Sequence, residues 1–299
     1  MGTCEKNRIL RCALLALALG VAGCGVKREV KVDVPSRVLD ARDATLDELV
    51  AIVNRYGEVA DLKSSGMKAT LTSGKWESGR QEEYRSAPGY ILLKRPAALH
   101  VVMQSPVIYK TAIFEAVSSG DGFSAWLRSN NKVYTGRNSA RELYADDLPN
   151  GIPLRPAHLY EAILPAGIDL GDPELRVSCE ESADKTAKYY ILSVYKTDAP
   201  PVIRTSRRIW IERSQLVIDR IQSFDGRGRL VGEAAYSGMA PVAGVALPAK
   251  IALARPEDGY ALELDFTPGG WTVDSGLGED SFALPPREGA ETVELKERN

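Results

Sequence analysis

Histidine and cysteine are both scarce in this chain of 299 residues, which has two of the first and four of the second. His100 and His158 have no cysteine or carboxylate at metal-ligand spacing around them, so no metal site is expected. Cys4, Cys12 and Cys24 lie near the N-terminus, which leaves Cys179 without a partner for an internal disulfide. We expect Cys179 to be a buried strand residue and the fold to depend on a packed core.

The sequence also lacks the common signatures of catalysis and of nucleic-acid binding. It has no Gly-x-Ser-x-Gly elbow, and Gly226-Arg227-Gly228 lacks the third glycine of a dinucleotide loop and is typical of a hairpin turn. The pairs Asp146-Asp147 and Glu180-Glu181 are adjacent rather than spaced across a cleft. The formal net charge is only −2, which gives no basic surface for nucleic acid. We therefore predict a protein that is not an enzyme, with no cofactor and no nucleic-acid partner.

The N-terminus has the pattern of a bacterial lipoprotein signal. Its basic residues are Lys6, Arg8 and Arg11. They precede an apolar segment over 13–22 that is too short to span a bilayer and that ends in Val21-Ala22-Gly23-Cys24. We predict that residues 1–23 are a cleaved signal peptide and that Cys24 becomes the lipidated first residue. The alternative is an ordinary secretory signal with an incidental cysteine.

After this signal the sequence indicates a tether and one domain. Residues 24–44 are charged and interrupted by Pro35, so we interpret them as a lipidated tether. A single domain is predicted over residues 45–299. Thr45 and Glu48 have the spacing of a capping box, which predicts that a helix begins there. The apolar residues that follow at helical spacing are Leu46, Leu49, Val50, Val53 and Tyr56.

Most of the remaining sequence predicts β-structure. Two short helices are expected, over 139–145 and 156–164, and alternation elsewhere indicates ten or eleven strands, most clearly at Tyr260–Phe266. Turn residues join these strands as an antiparallel meander with one solvated face. A sheet of this size curls, so we predict a mainly β fold, an incomplete half-open barrel whose concave face is apolar. The predicted ligand-cavity residues are Leu99, Val101, Met103, Leu262, Leu264 and Phe266.

Three motifs resemble the lipoprotein-localisation superfamily of LolA and LolB. They are Lys94-Arg95-Pro96, Ser119-Gly120-Asp121-Gly122 before Trp126, and Phe282-Ala283-Leu284-Pro285-Pro286 before Gly289. The resemblance implies an incomplete antiparallel barrel whose short helices close an apolar cavity for acyl chains or another hydrophobic ligand. It also implies a role in lipoprotein or lipid trafficking and insertion. The segment over 138–173 is larger than the family pattern leads us to expect.

A lipid anchor belongs to the membrane-bound acceptor of that superfamily rather than to its soluble carrier. The resemblance therefore implies an outer-membrane lipoprotein that faces the periplasm and is held by membrane lipid through acyl chains, such as palmitate, on Cys24. Its implied partners are acyl chains of lipoproteins or other lipid, and a periplasmic lipoprotein carrier. The alternative is an envelope interaction or scaffold lipoprotein that transports nothing and whose core is filled by its own side chains.

Specific residue roles also follow from the resemblance. Arg95 matches an arginine that holds the cavity closed by donating to carbonyls of the lid helices; alternatively, it is an exposed strand-end arginine. Val107 and Ile108 occupy the place of a protruding loop that contacts the membrane; alternatively, they begin the next strand as core residues. Arg204, Arg207 and Arg208 lie around Trp210. This cluster either meets anionic headgroups or guards a strand edge with charge.

Overall fold

The computed structural model describes residues 33–74, 81–140, 143–145, 155–199 and 202–297. The predicted signal peptide over 1–23, Cys24 and residues 25–32 of the predicted tether lie outside the described residues, so these assignments stay predictions. From Pro35 onward the chain forms one compact unit. None of the helices in the described ranges is long and apolar enough to cross a membrane.

Three α-helices lie within the described residues: α1 (Ser36–Leu39), α2 (Leu46–Glu58) and α3 (Pro156–Ile163). The predicted capping box of α2 is confirmed. The Thr45 Oγ1 atom accepts from the Glu48 amide at 3.3 Å, and the Glu48 carboxylate accepts from the Thr45 amide at 2.7 Å. Each bond satisfies an N–H group that the first helical turn leaves free, so α2 begins where the sequence predicts.

The strands account for most of the described chain. In order they are β1 (Asp61–Ser73), β2 (Glu82–Lys94), β3 (Ala98–Gln104), β4 (Ala112–Ser119), β5 (Gly122–Leu127), β6 (Lys132–Arg137), β7 (Leu143–Tyr144), β8 (Leu175–Ala183), β9 (Lys188–Ala199), β10 (Val202–Glu212), β11 (Val217–Phe224), β12 (Leu230–Ser237), β13 (Ala240–Val242), β14 (Val245–Leu247), β15 (Lys250–Arg255), β16 (Tyr260–Phe266), β17 (Trp271–Val273), β18 (Glu291–Glu294) and β19 (Lys296–Glu297).

Fifteen of these strands form one curved sheet, in the order β18-β6-β5-β4-β3-β2-β1-β16-β15-β12-β11-β10-β9-β8, with β17 also paired to β1. The sheet has two ends, at β18 and β8, so the prediction of an incomplete antiparallel barrel is confirmed. One pair departs from the pattern, because β18 runs parallel to β6. The strand count exceeds the expected ten or eleven because strands as short as β17 and β18 show too little alternation to be recognised.

The sheet consists of two meanders that meet at its centre. Strands β1 to β6 form one meander, and β8 to β12 with β15 and β16 form the other; β1 pairs with β16 so that Ala69 lies opposite Leu264. Both α2 and α3 pack on one face of this sheet, which we call the inner face. A single hydrophobic cluster joins the two helices to residues of both meanders.

The outer face of the first meander is not solvated as predicted. The C-terminal segment after β17 crosses it and buries Phe282 against Leu92 and Ala98. In the same layer the His100 Nδ1 atom lies 2.6 Å from the Ser281 carbonyl oxygen. The strand β3 is therefore buried on both sides, and the Phe282 motif seals the outer layer.

Two further predictions are wrong. The segment predicted as a helix over 139–145 contains β7, which pairs with β19 at the C-terminus. Ser139 does not cap a helix, because its amide and hydroxyl both donate to the Asp121 carboxylate. Cys179 is exposed rather than buried, because it lies on β8, the last strand of the sheet, where no further layer covers it.

Candidate functional site

The six predicted cavity residues lie together on the inner face. Leu99, Val101, Leu262, Leu264 and Phe266 are buried in the main hydrophobic cluster, and Met103 is half-buried against it. The same cluster contains Leu49, Val53 and Tyr56 of α2 and Leu159 and Ile163 of α3. The inner face is thus apolar as predicted, but in this conformation the two helices fill it. A ligand on this face needs the helices to move.

Arg95, at the turn between β2 and β3, holds the end of α2. Its Nη2 atom donates to the Tyr56 carbonyl at 2.6 Å and to the Pro165 carbonyl at 3.3 Å, and its Nε atom donates to the Val59 carbonyl at 3.2 Å. A cation is favoured at a helix C-terminus, where carbonyls are left without intrahelical partners. The alternative of an exposed strand-end arginine is wrong, because Arg95 is half-buried and bonded, and the geometry is the one that a latch requires. The latch role itself stays a prediction.

The segment over 165–168, which we call the lid loop, follows α3 and is bound by two further side chains. Arg207 of β10 donates from Nη1 to the Ala166 carbonyl and from Nη2 to the Gly167 carbonyl, each at 2.5 Å. Asn54 of α2 donates to the Ile168 carbonyl at 2.9 Å and accepts from the Ile168 amide at 2.6 Å. Helix α2, helix α3 and the lid loop together therefore form a continuous lid over the inner face.

The interpretation of the arginine cluster as a guarded strand edge is wrong. Strand β10 lies inside the sheet, between β9 and β11, so it has no free edge to guard. Arg208 is directed away from the lid, with its Nε atom 3.4 Å from the Ser193 hydroxyl oxygen and its guanidinium over the Phe224 ring. Arg207, by contrast, reaches the lid loop. Its backbone partners leave no signature in the sequence, which is why sequence reasoning missed it.

A cleft of about 300 Å³, part of it open to solvent, flanks α3 where the helix meets β11, β12 and β15. His158 lies at its wall, donating from Nδ1 to the Tyr260 hydroxyl and accepting at Nε2 from Arg255, both at 2.8 Å. Burial, with Arg255 and Arg155 nearby, lowers the pKa of His158 to about 2. The imidazole is therefore neutral with both nitrogens occupied. Within the described ranges, no three metal-binding side chains cluster.

Val107 and Ile108 form the tip of the loop between β3 and β4. Their exposed fractions are 88% and 57%, and the adjacent Tyr109 is also exposed. The Ser105 hydroxyl accepts from both tip amides, at 3.2 and 3.0 Å, which turns the tip without burying it. The alternative that these residues begin the next strand as core is wrong. Contact of the tip with a membrane stays a prediction.

The fold and this lid define the class of protein: a half-open antiparallel sheet whose apolar inner face is covered by two short helices. This is the architecture that the resemblance implied, so the predicted fold, a half-open antiparallel sheet with short helices over its apolar face, is confirmed. No protein-family profile matches the sequence. Among curated proteins there is no match either.

Solved structures share the fold at low sequence identity. A DUF1329 family protein from Desulfovibrio piger ATCC 29098 is 14% identical, with 79% of this chain and 95% of that chain covered and a TM-score of 0.50. The LolA superfamily protein NE2245 from Nitrosomonas europaea is 13% identical, with coverage of 81% and 99% and a TM-score of 0.48. An outer membrane lipoprotein-sorting protein domain from Vibrio parahaemolyticus is 11% identical, with coverage of 80% and 97% and a TM-score of 0.47. At such identities the likeness concerns the fold alone.

Proposed function

We propose that this chain is a membrane-anchored lipoprotein of the bacterial envelope whose inner face binds acyl chains or another hydrophobic ligand. The ligand enters when the lid moves off the sheet, and the role is lipoprotein or lipid trafficking at the outer membrane. The predicted lipid site at Cys24 would keep the domain on the periplasmic side of that membrane. A periplasmic lipoprotein carrier is the partner that fits delivery of such a ligand.

One observation carries this proposal. The lid buries a largely apolar sheet face, yet the C-terminal end of α2 and the lid loop are held at their carbonyl oxygens by the guanidinium group of Arg95. Hydrogen bonds of this kind contribute a few kcal/mol at most because water competes for the same groups. Opening the lid therefore breaks a few hydrogen bonds of Arg95 and exchanges apolar protein contacts for apolar ligand contacts. A hydrophobic ligand can replace the contacts that the helices make with the sheet.

The filled inner face supports a second candidate, an envelope scaffold protein that never opens. Native mass spectrometry of protein purified from membranes in mild detergent distinguishes the two. We expect co-purifying lipid and saturable binding of a fluorescent fatty-acid probe if the inner face is a ligand site. Protein free of lipid, with no saturable probe binding, would instead support the scaffold.

We expect Arg95→Leu to shift the lid toward its open form. Loss of the charged donor leaves the Tyr56, Val59 and Pro165 carbonyls unpaired, a change of about 1.5–3 kcal/mol, or roughly tenfold or more in the open population. Probe association rates in a stopped-flow instrument should rise by that factor. The control is Arg128→Leu, which removes an exposed arginine from the β5–β6 turn. Equal association rates in wild type and Arg95→Leu would show that Arg95 does not limit opening.

Replacing both Val107 and Ile108 with glutamate should slow ligand transfer to liposomes by about tenfold, because charge at a membrane-touching tip is disfavoured. The melting temperature should stay unchanged, since both side chains are exposed. The control replaces Val202 and Ile203, another exposed apolar pair, at the start of β10, with glutamates. If both double variants slow transfer equally, the effect comes from added charge and not from this loop.

A further inference from the structure

We propose that Arg207 is a second residue that holds the lid closed. It binds the lid loop from the second meander, whereas Arg95 binds it from the first. This inference rests on the proposed function, in which the lid covers a ligand site. Arg207 takes the carbonyls of Ala166 and Gly167, and Arg95 takes the carbonyl of the preceding Pro165. Three successive carbonyls of one short loop are thus bound by two arginines.

The two arginines belong to different halves of the fold. Arg95 follows β2 in the first meander, and Arg207 lies on β10 in the second, with β1, β16, β15, β12 and β11 between those strands in the sheet. The lid loop consequently connects the two meanders across the inner face. As long as Arg95 and Arg207 both keep their hydrogen bonds, the loop cannot lift away from one meander without straining its attachment to the other.

The side chain of Arg207 is suited to a clamp and is not needed for the sheet. Its planar guanidinium presents two donors in parallel, and each reaches a different carbonyl of the loop. The strand pairing of residue 207 with Val194 and Ser223 is made by the backbone. A substitution at Arg207 therefore removes lid contacts while it leaves the ladder of β9, β10 and β11 in place.

Amide hydrogen exchange of the lid loop, read by mass spectrometry on the ligand-free protein, tests this proposal directly. The Ile168 amide is bonded only as long as the loop stays seated on Asn54, so its exchange reports opening. We expect Arg207→Leu to accelerate exchange of the lid loop about tenfold and to leave peptides of β9 and β11 unchanged. Arg207→Lys should fall between wild type and Arg207→Leu, because an ammonium lacks the fork that holds two carbonyls.

The matched control is Arg208→Leu, the neighbouring arginine, which does not contact the lid. We expect wild-type exchange from this variant. The double variant of Arg95→Leu with Arg207→Leu should accelerate exchange by about the product of the single effects, roughly a hundredfold, if both bonds restrain one lid.

Two results would overturn the clamp. One is lid-loop exchange in Arg207→Leu equal to that in Arg208→Leu. The other is faster exchange across the whole sheet, which would make Arg207 a structural residue. Because no ligand is used, a wild type that binds no fatty-acid probe would remove the proposed function, and the exchange result would still decide the clamp.

Discussion

Leu264→Glu should lower the free energy of unfolding of the domain more than Arg95→Leu or Arg207→Leu. Leu264 is 1% exposed and lies at the centre of the sheet, opposite Ala69 on one side and Ile251 on the other. A carboxylate there loses the transfer free energy of the leucine and must shed its water or become protonated, at a combined cost of about 4 kcal/mol or more. A domain of ordinary stability loses a large share of its free energy of unfolding by such a change.

Denaturation in urea, at several pH values, measures this effect. The control is Ala261→Glu, which introduces the same carboxylate on the exposed side of the same strand. Burial raises the pKa of a carboxyl, so the folded Leu264→Glu protein binds a proton more tightly than its unfolded chain. The destabilisation should therefore grow as the pH rises above the unfolded pKa and shrink in acid. Equal midpoints for the two variants would show that the inner face is not the core.

Cys24→Ala should move the protein out of the membrane fraction or leave it as an uncleaved precursor. The predicted anchor consists of acyl chains on this one residue, and without them the domain has no comparable hold on a bilayer. Fractionation of cells followed by intact-mass measurement reads both outcomes. Cys12→Ala is the matched control, because it removes a cysteine of the same signal region and keeps the cleavage box.

A Cys24→Ala protein that is cleaved normally and still pellets with membranes would contradict the anchor. For the wild type we expect the outer-membrane fraction of a density gradient, by analogy with lipoproteins that lack an aspartate after the lipidated cysteine; here Gly25 follows it. Recovery of the wild type in the inner-membrane fraction would contradict that expectation. Neither result depends on whether the inner face binds a ligand.

Local signals predicted the parts of this fold that local physics determines. The capping box at Thr45 and Glu48 gives the start of α2, and the alternation over Tyr260–Phe266 gives a strand with one buried face. The shared apolar face of β3 and β16 follows from the same period of two. The sequence also predicted Arg95 as a lid residue, because its motif resembles a known family.

Sequence reasoning failed where a residue's partner is distant in the chain. The alternation of β3 predicts a solvated outer face, but Phe282 and its neighbours, which lie near the C-terminus, cover that face. In the sequence Arg207 is one of three arginines near a tryptophan, and its partners are backbone carbonyls of the distant lid loop. Cys179 is apolar enough for a core, and only the position of β8 at the end of the sheet leaves it exposed.

The pairing of β1 with β16 has a consequence for the order in which this protein folds. These two strands make the middle of the sheet, although β1 opens the first meander and β16 closes the second. Each meander can form from local contacts soon after its residues are available, but the centre must wait for the chain to reach Phe266. Until then β1 presents an unpaired edge beside apolar side chains, which is the kind of surface that aggregates. The high sequence separation of this contact predicts slow folding of the domain, and it leaves the first meander open to aggregation until β16 has paired with β1.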